Sequence, residues 1–223
     1  MLPGPYNAIM ANLITLSRLL LLIAVIVVAY QPPSGWQYLN VVLLVLVYLS
    51  DAVDGHVARR RNETTLFGAM FDIAGDRIVE LSLWIVFADL DMVPIWVPLV
   101  FVARGVIVDT IRTSQARSHR QSPFSMMATG LGKWLVAGKF MRVFYAALKG
   151  TTFGWLLLIQ PTPAVYPAFW ADWGQPLTLI AELLIYLSVL ICIVRGLPVI
   201  VEFVYTERHA LLGRLAGGTA SRS

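Results

Sequence analysis

Long apolar runs are the feature that most constrains the fold of this chain. A helix that crosses the hydrocarbon core of a bilayer needs roughly 20 mostly apolar residues, and six stretches approach or exceed that length. Hydrophobic residues make up 58% of the chain and charged residues only 13%, against about 45–50% and about 25% in an ordinary soluble domain. The sequence therefore predicts an all-α integral membrane protein, a single domain over residues 1–223 with six transmembrane helices. We place these spans at Ala11–Tyr30, Trp36 to the acidic stretch 51–54, Gly68–Phe87, Pro94–Ile111, Lys133–Ile159 and Pro176–Tyr205.

Lysine and arginine collect on one side of the predicted spans. They follow the second and fourth spans and recur in the tail, whereas the loops at 31–36, 88–93 and 160–175 contain neither residue. Cytoplasmic loops carry the excess of positive charge in membrane proteins. We therefore predict a multi-pass protein of the cell (inner) membrane, with both termini and the acidic stretch on the cytoplasmic side. The aromatic residues of 160–175 fit a belt at the opposite interface.

Four carboxylates stand where the second predicted span ends and the third begins. Asp51 and Asp54 are three residues apart and Asp72 and Asp76 are four apart, so on helices each pair projects from one face. A single acid here would as readily pair with an arginine of the run at 59–61. Four buried together repel one another unless a counter-charge is present, and hard divalent cations such as Mg²⁺ prefer carboxylate oxygens. The group therefore predicts a divalent-metal site.

These acids belong to a longer pattern, D-x2-D-G-x2-A-R-x8-G-x3-D-x3-D. The chain resembles the CDP-alcohol phosphatidyltransferases at every fixed position of that pattern. Such enzymes cleave the pyrophosphate of a CDP-linked lipid, transfer its phosphatidyl group to an alcohol and release CMP. The matching residues are Asp51, Asp54, Gly55, Ala58, Arg59, Gly68, Asp72 and Asp76.

The resemblance implies a role for each residue of the pattern. Asp51, Asp54 and Asp72 would hold two divalent ions, Mg²⁺ or Mn²⁺, and Asp76 would help to hold one while also acting as general base. Helix capping is an alternative use of the glycine at position 55. Relatives are commonly homodimers, so we expect a homodimer, and we expect no nucleic-acid partner. The donor, CDP-diacylglycerol, would be bound by Asp51, Gly55, Ala58, Arg59, Thr65 and Gly68.

Three further cations suggest an acceptor that carries its own phosphate. Arg112 closes the fourth predicted span, Lys133 opens the fifth, and Arg195 lies within the sixth. An arginine at the end of a span is more often an interfacial anchor, but a charge inside a span costs at least about 2.5 kcal/mol unless it is paired. The start Asn12-x-x-Thr15-x-x-Arg18 and the pair Gly132-Lys133 resemble members that use glycerol 3-phosphate, the phosphatidylglycerophosphate synthases, although Asn12 could simply cap a helix.

The sequence thus predicts metal-dependent transfer of a phosphatidyl group from CDP-diacylglycerol to glycerol 3-phosphate in phospholipid biosynthesis. The same chemistry with inositol phosphate, serine or another alcohol stays open. The alternative from another class is a divalent-cation transporter, which would need carboxylates along a path to the far side, where Glu182 is the main candidate. Glu80 is expected to pair with Arg77 or another cation. The basic residues inside the fifth predicted span have no assigned role; they are Lys139, Arg142 and Lys149.

Overall fold

The structure is a computed structural model that describes the backbone of residues 5–61, 66–117 and 138–220. Side chains are described at 16–50, 70–71, 73–111, 113, 138, 140–205 and 208. Every regular element in these ranges is helical, so the all-α prediction is confirmed. In chain order the elements are α1 (Pro5–Ala29), a 3₁₀ turn (Gly35–Tyr38), α2 (Leu39–Arg61), α3 (Leu66–Asp89), α4 (Trp96–Arg117), α5 (Lys139–Ile159), the short α6 (Thr162–Val165) and α7 (Pro167–Ala220).

One helix among the described residues is both long and apolar enough to cross a membrane, the part of α7 from Pro167 to Tyr205. Shorter apolar helices cover Leu16–Ala29 and Gly35–Ser50. The count of six spans and the cytoplasmic position of the termini stay predictions.

The helix that contains the last predicted span begins earlier and continues further than that span. The stretch 160–175, predicted as a loop, contains α6 and the first turns of α7, and the predicted polar tail after Tyr205 continues α7 as helix. Pro167 starts α7 because proline at a first helical position loses no backbone bond. Pro176 lies inside the helix, where Thr178 Oγ1 and Trp155 Nε1 donate extra hydrogen bonds to carbonyls of the same stretch, at 2.9 and 3.1 Å. Such donors let an apolar helix continue through a proline.

The chain divides into two compact units. Unit 1 comprises Met1–Pro98 and Lys149–Ile185, and unit 2 comprises Leu99–Leu148 and Tyr186–Ser223. Each unit combines an early and a late segment of the chain. The prediction of a single domain over 1–223 stays a prediction.

Helix directions in unit 1 follow from pairs of contacting side chains. Two pairs join α1 to α3, Arg18 with Asp76 and Tyr30 with Asp89, so these helices run parallel. α5 also runs parallel to α3, because Lys149 contacts Glu80 and Phe153 contacts Trp84. α2 is antiparallel to α5, because Gly150 lies by Tyr48 and Gly154 by Leu44. α7 is also antiparallel to α5, because Thr152 contacts Leu184 and Trp155 contacts Leu177.

An aromatic cluster forms the centre of unit 1. Trp84 and Phe87 of α3 and Phe153 of α5 are fully buried. The Trp84 and Phe153 rings meet edge to face with centroids 4.9 Å apart, and Phe87 lies 5.8 Å from Phe153. Large aromatic side chains contribute much of the apolar area that a core removes from water. This packing fixes α3 against α5 one turn beyond the charged residues of α3.

Amide side chains cap the C-terminal end of α1. The last carbonyls of a helix lack intrahelical partners. Gln37 Nε2 donates to the carbonyls of Ala29 and Gln31 at 3.2 and 2.8 Å, and Gln160 Nε2 donates to Ala29 O at 2.7 Å. These bonds tie α1, the 3₁₀ turn and the end of α5 together, at the end of unit 1 away from Asp76.

In unit 2, α4 and α7 pack side by side. Val108 and Ile111 of α4 form a buried cluster with Val199 of α7. Further back along both helices, Gly196 of α7 faces Arg104 of α4. Residue numbers rise together along the two helices, so α4 and α7 run parallel.

Candidate active site

Both pairs of predicted metal-binding acids lie on helices, as predicted. Asp51 and Asp54 lie in the last part of α2, and Asp72 and Asp76 lie in α3. Of these four side chains, only that of Asp76 is among the described ones. The described side chains contain no group of three or more His, Cys, Asp or Glu placed to hold a metal ion.

The predicted donor-binding residues lie around the same helix junction. Gly55, Ala58 and Arg59 belong to the backbone of α2 and Gly68 to the first turn of α3. The side chains of Ala58 and Arg59 lie outside the described residues, and so does the whole of Thr65. Their roles therefore stay predictions.

A buried arginine holds the described acid. Arg18 Nη1 of α1 lies 2.8 Å from Asp76 Oδ1 and donates a hydrogen bond to it. The Arg18 side chain is 2% exposed and that of Asp76 is 56% exposed. A charge-assisted bond of this length is strong, and the packing around Arg18 restricts where the carboxylate can turn. The sequence gives no sign of this contact, because 58 residues separate the partners.

One turn along α3, Glu80 forms a second and more buried charge cluster. It is 6% exposed; its Oε2 accepts a hydrogen bond from Arg77 Nη1 at 3.1 Å, and its Oε1 lies 2.8 Å from Lys149 Nζ. The expected pairing of Glu80 with Arg77 or another cation is confirmed. The cluster also accounts for Lys149, which as a lone cation inside a span would be costly. Two positive groups compensate one carboxylate here.

The predicted acceptor residues are described in part. Arg195 is 7% exposed and belongs to α7 in unit 2, and its Cζ lies 5.4 Å from the centroid of the Tyr145 ring, at cation–π distance. Arg112 belongs to the backbone of α4 but its side chain lies outside the described residues, as does Lys133 entirely.

One further basic residue of unit 2 was not among the predicted site residues. Arg104 lies in the middle of α4 and packs against Gly196, next to Arg195 in the chain. Its signal in the sequence is an isolated charge at the centre of an apolar run, which in a membrane helix marks a functional site by default.

The chemistry of the donor set fits a hard divalent cation. Carboxylates are preferred ligands of Mg²⁺ and Mn²⁺, and the described one, Asp76, is more than half exposed, so that an ion or a substrate hydroxyl could reach it. The Arg18 contact engages one carboxylate oxygen, Oδ1. A carboxylate held in this way can act as a general base for an alcohol.

A family model matches the chain over most of its length, and known proteins align with about half to two thirds of it. The family model described as CDP-alcohol phosphatidyltransferase matches residues 8–205. The CDP-diacylglycerol--glycerol-3-phosphate 3-phosphatidyltransferase of Wigglesworthia glossinidia brevipalpis is 30% identical over 115 residues, which cover 51% of this chain and 63% of that protein. The enzyme of the same name from Rickettsia typhi is 30% identical over 117 residues, 52% of this chain and 66% of that protein.

A relative with a different name aligns over a longer stretch. The cardiolipin synthase (CMP-forming) of Streptomyces coelicolor is 30% identical over 144 residues, 65% of this chain and 62% of that protein. Each of these three alignments spans less than two thirds of the relative's own length.

Proposed function

The chain belongs to the CDP-alcohol phosphatidyltransferase family, and from that premise we propose that it transfers a phosphatidyl group from CDP-diacylglycerol to glycerol 3-phosphate. CMP is the second product, and the reaction serves phospholipid biosynthesis. The observation that carries this proposal is the complete eight-position motif, whose last acid, Asp76, is held by a buried arginine at 2.8 Å. The relatives named for this reaction support the choice of acceptor.

A six-span arrangement in the cell (inner) membrane suits this activity, with both termini and the reacting groups on the cytoplasmic side. Members of the family are membrane-associated in bacteria. The helix directions within unit 1 support the arrangement, because α1, α3 and α5 share one direction there while α2 and α7 oppose α5. Successive spans joined by short connections alternate in this way. The acyl chains of the donor would then stay in the bilayer while its CDP group reaches the acids. On the resemblance alone we further propose a homodimer.

Members of the family generally use divalent metal ions. We assign two ions, Mg²⁺ or Mn²⁺, to Asp51, Asp54, Asp72 and Asp76. When bound, they would supply positive charge for the donor pyrophosphate and for the departing CMP. The donor itself we assign to Asp51, Gly55, Ala58, Arg59, Thr65 and Gly68.

Asp76 acts as the general base. It accepts the proton of the acceptor hydroxyl as that oxygen attacks the phosphorus next to diacylglycerol. A new P–O bond forms, the P–O bond to CMP breaks, and CMP leaves with the bonding electron pair. Arg18 holds the carboxylate through Oδ1 and so fixes the position of the group that receives the proton.

The acceptor phosphate is bound by Arg112, Lys133 and Arg195. Support for this role comes from Arg195, whose guanidinium is buried and lies over the Tyr145 ring. Guanidinium groups match the geometry of phosphate oxygens and can bind two at once.

The test is a CMP-release assay on the purified full chain with CDP-diacylglycerol and a panel of acceptors. Glycerol 3-phosphate should give the largest kcat/KM, and chelation of divalent ions should stop the reaction. The panel includes inositol phosphate and serine, and also phosphatidylglycerol, because one relative is a cardiolipin synthase. Highest turnover with phosphatidylglycerol would change the assigned acceptor. Absence of CMP release with any alcohol, together with divalent-ion flux in liposomes, would favour the transporter instead.

A further inference from the structure

Arg104 is a cation without a compensating charge among the described side chains. It lies in the middle of α4, it is half-buried, and its Nε is buried without a hydrogen-bond acceptor. No acid among the described residues lies within ion-pair distance of it, whereas Lys149 in unit 1 has Glu80. An arginine at such a depth is costly unless an anion or a polar cavity receives it.

Gly196 of α7 makes room for this side chain. A Cβ atom added at Gly196 would lie 3.0 Å from Arg104 Cγ and 3.5 Å from its Nε. A contact of 3.0 Å between carbon atoms is well inside the optimal separation of about 3.5–4.0 Å. Any larger residue at position 196 would therefore displace the stem of Arg104.

The register of α4 against α7 brings Arg104 level with Arg195. Gly196, the residue that follows Arg195, is the one that Arg104 touches. Arg112 lies eight residues further along α4, about 12 Å along the helix axis at ~1.5 Å per residue. Val199 of α7, in the cluster with Val108 and Ile111, lies between these two levels.

We propose that Arg104 binds the phosphate monoester of the acceptor together with Arg195, and that Gly196 sets the position of Arg104 for this contact. The inference rests on the proposed function and adds a residue to its acceptor site. Arg195 lies over the Tyr145 ring, and Arg104 reaches the same level from α4. A dianionic phosphate supplies the counter-charge that the described protein residues do not give Arg104, and it accepts hydrogen bonds from both guanidinium groups.

The experiment measures binding of radiolabelled glycerol 3-phosphate to the purified full chain without donor, and acceptor KM in the CMP-release assay. Arg104→Gln should weaken binding of glycerol 3-phosphate and raise the acceptor KM, each by about tenfold to a hundredfold. That is the usual range for a lost hydrogen bond to a charged group. The donor KM should stay within about twofold of the wild-type value. Arg142→Gln is the matched control, since Arg142 is an exposed arginine of the same unit, and it should change neither constant.

A double-mutant cycle separates positioning from loss of folding. Gly196→Ala should also weaken acceptor binding, because it displaces the Arg104 stem. In an Arg104→Ala background, where no Cγ remains, Gly196→Ala should have little further effect. Thermal midpoints of all variants, measured in the same detergent, show which of them remain folded. Equal effects of Gly196→Ala in both backgrounds would overturn the positioning role.

A separate set of binding measurements identifies the chemical class of the ligand. Inorganic phosphate should compete with glycerol 3-phosphate for wild-type protein, and glycerol should not. If a folded Arg104→Gln protein binds glycerol 3-phosphate normally but loses phosphatidylglycerol or another anionic lipid from nanodiscs, the ligand is a lipid headgroup and the proposal is wrong. Absence of CMP release by wild-type protein would count against the proposed function instead, because the binding arm needs no donor.

Discussion

The two compact units treat buried cations differently. In unit 1 every basic side chain described above faces an acid, with Arg18 on Asp76 and both Arg77 and Lys149 on Glu80. In unit 2 Arg195 faces an aromatic ring, and Arg104 has no acid among the described residues. A cation paired within the protein contributes to helix packing or holds a carboxylate. A cation such as Arg104, to which the described residues offer no acid, is suited to the negative charge of a substrate.

Replacing Asp76, the acid that Arg18 contacts, should have the largest effect of the changes that test this comparison. Asp76→Asn keeps the shape of the side chain and its contact with Arg18 but cannot accept the proton. We expect kcat to fall by about 10²- to 10⁴-fold, with donor binding retained, as measured by CMP release and by binding of CDP-diacylglycerol. A variant with nearly normal kcat would remove Asp76 from the role of base.

Replacing either residue of the Lys149–Glu80 pair in unit 1 should lower the stability of the protein. Lys149→Met leaves Glu80 with Arg77 alone, and loss of one partner of a buried ion pair typically costs about 3–5 kcal/mol. We expect a lower free energy of unfolding in detergent, with a similar loss in Glu80→Gln. The double variant should be less destabilised than the sum of the two single ones, because the second change then removes a charge that has already lost one of its partners. Additive losses would mean that the two groups do not interact.

Replacing Arg195 should change the affinity for the acceptor and not the stability of the protein. We expect Arg195→Gln to raise the acceptor KM by about tenfold to a hundredfold, with less effect on the donor KM. Tyr145→Phe keeps the ring under the guanidinium and should leave the acceptor KM unchanged, whereas Tyr145→Leu should raise it by a smaller factor. An equal rise in both KM values for Arg195→Gln would argue for a general disturbance of the fold.

A neutral polar contact should give the smallest effect. Gln37 is buried at the end of unit 1 away from Asp76, where its amide caps α1. Gln37→Leu should lower the free energy of unfolding by about 1 kcal/mol and leave the kcat of the folded protein unchanged. A fall in kcat without a loss of stability would show that this cap affects the reacting residues around Asp76.

Local patterns predicted most of the helices and the family. The length of the apolar runs predicted helices at α1 to α5, and the spacing of acids and glycines between Asp51 and Asp76 matched the motif. The start of α7 was missed because the last span was taken to begin at Pro176, although Pro167 suits a first turn and Pro176 loses only one backbone bond.

Partners across the chain were beyond the reach of the sequence. Arg18 meets Asp76, and Arg104 meets Gly196, only because helices far apart in sequence pack at one register. The sequence did not indicate a partner for Lys149 of the fifth predicted span for the same reason, because Glu80 lies on α3. Apolar periodicity indicates which face of a helix is buried, but it does not give the axial offset between two helices.

The contact between Gly196 and Arg104 has a consequence for how the chain enters a membrane. If α4 crosses the membrane, as the six-span proposal has it, Arg104 alone makes its insertion less favourable by about 2.5–3.5 kcal/mol. Gly196 emerges later in synthesis, after a delay of about 5–20 s at ~5–20 residues per second. During that interval α4 must keep its central arginine among other helices or water. We therefore expect α4 to stay close to the insertion machinery until α7 has been made, and Gly196→Ala to lower the yield of inserted protein even where the folded enzyme still turns over.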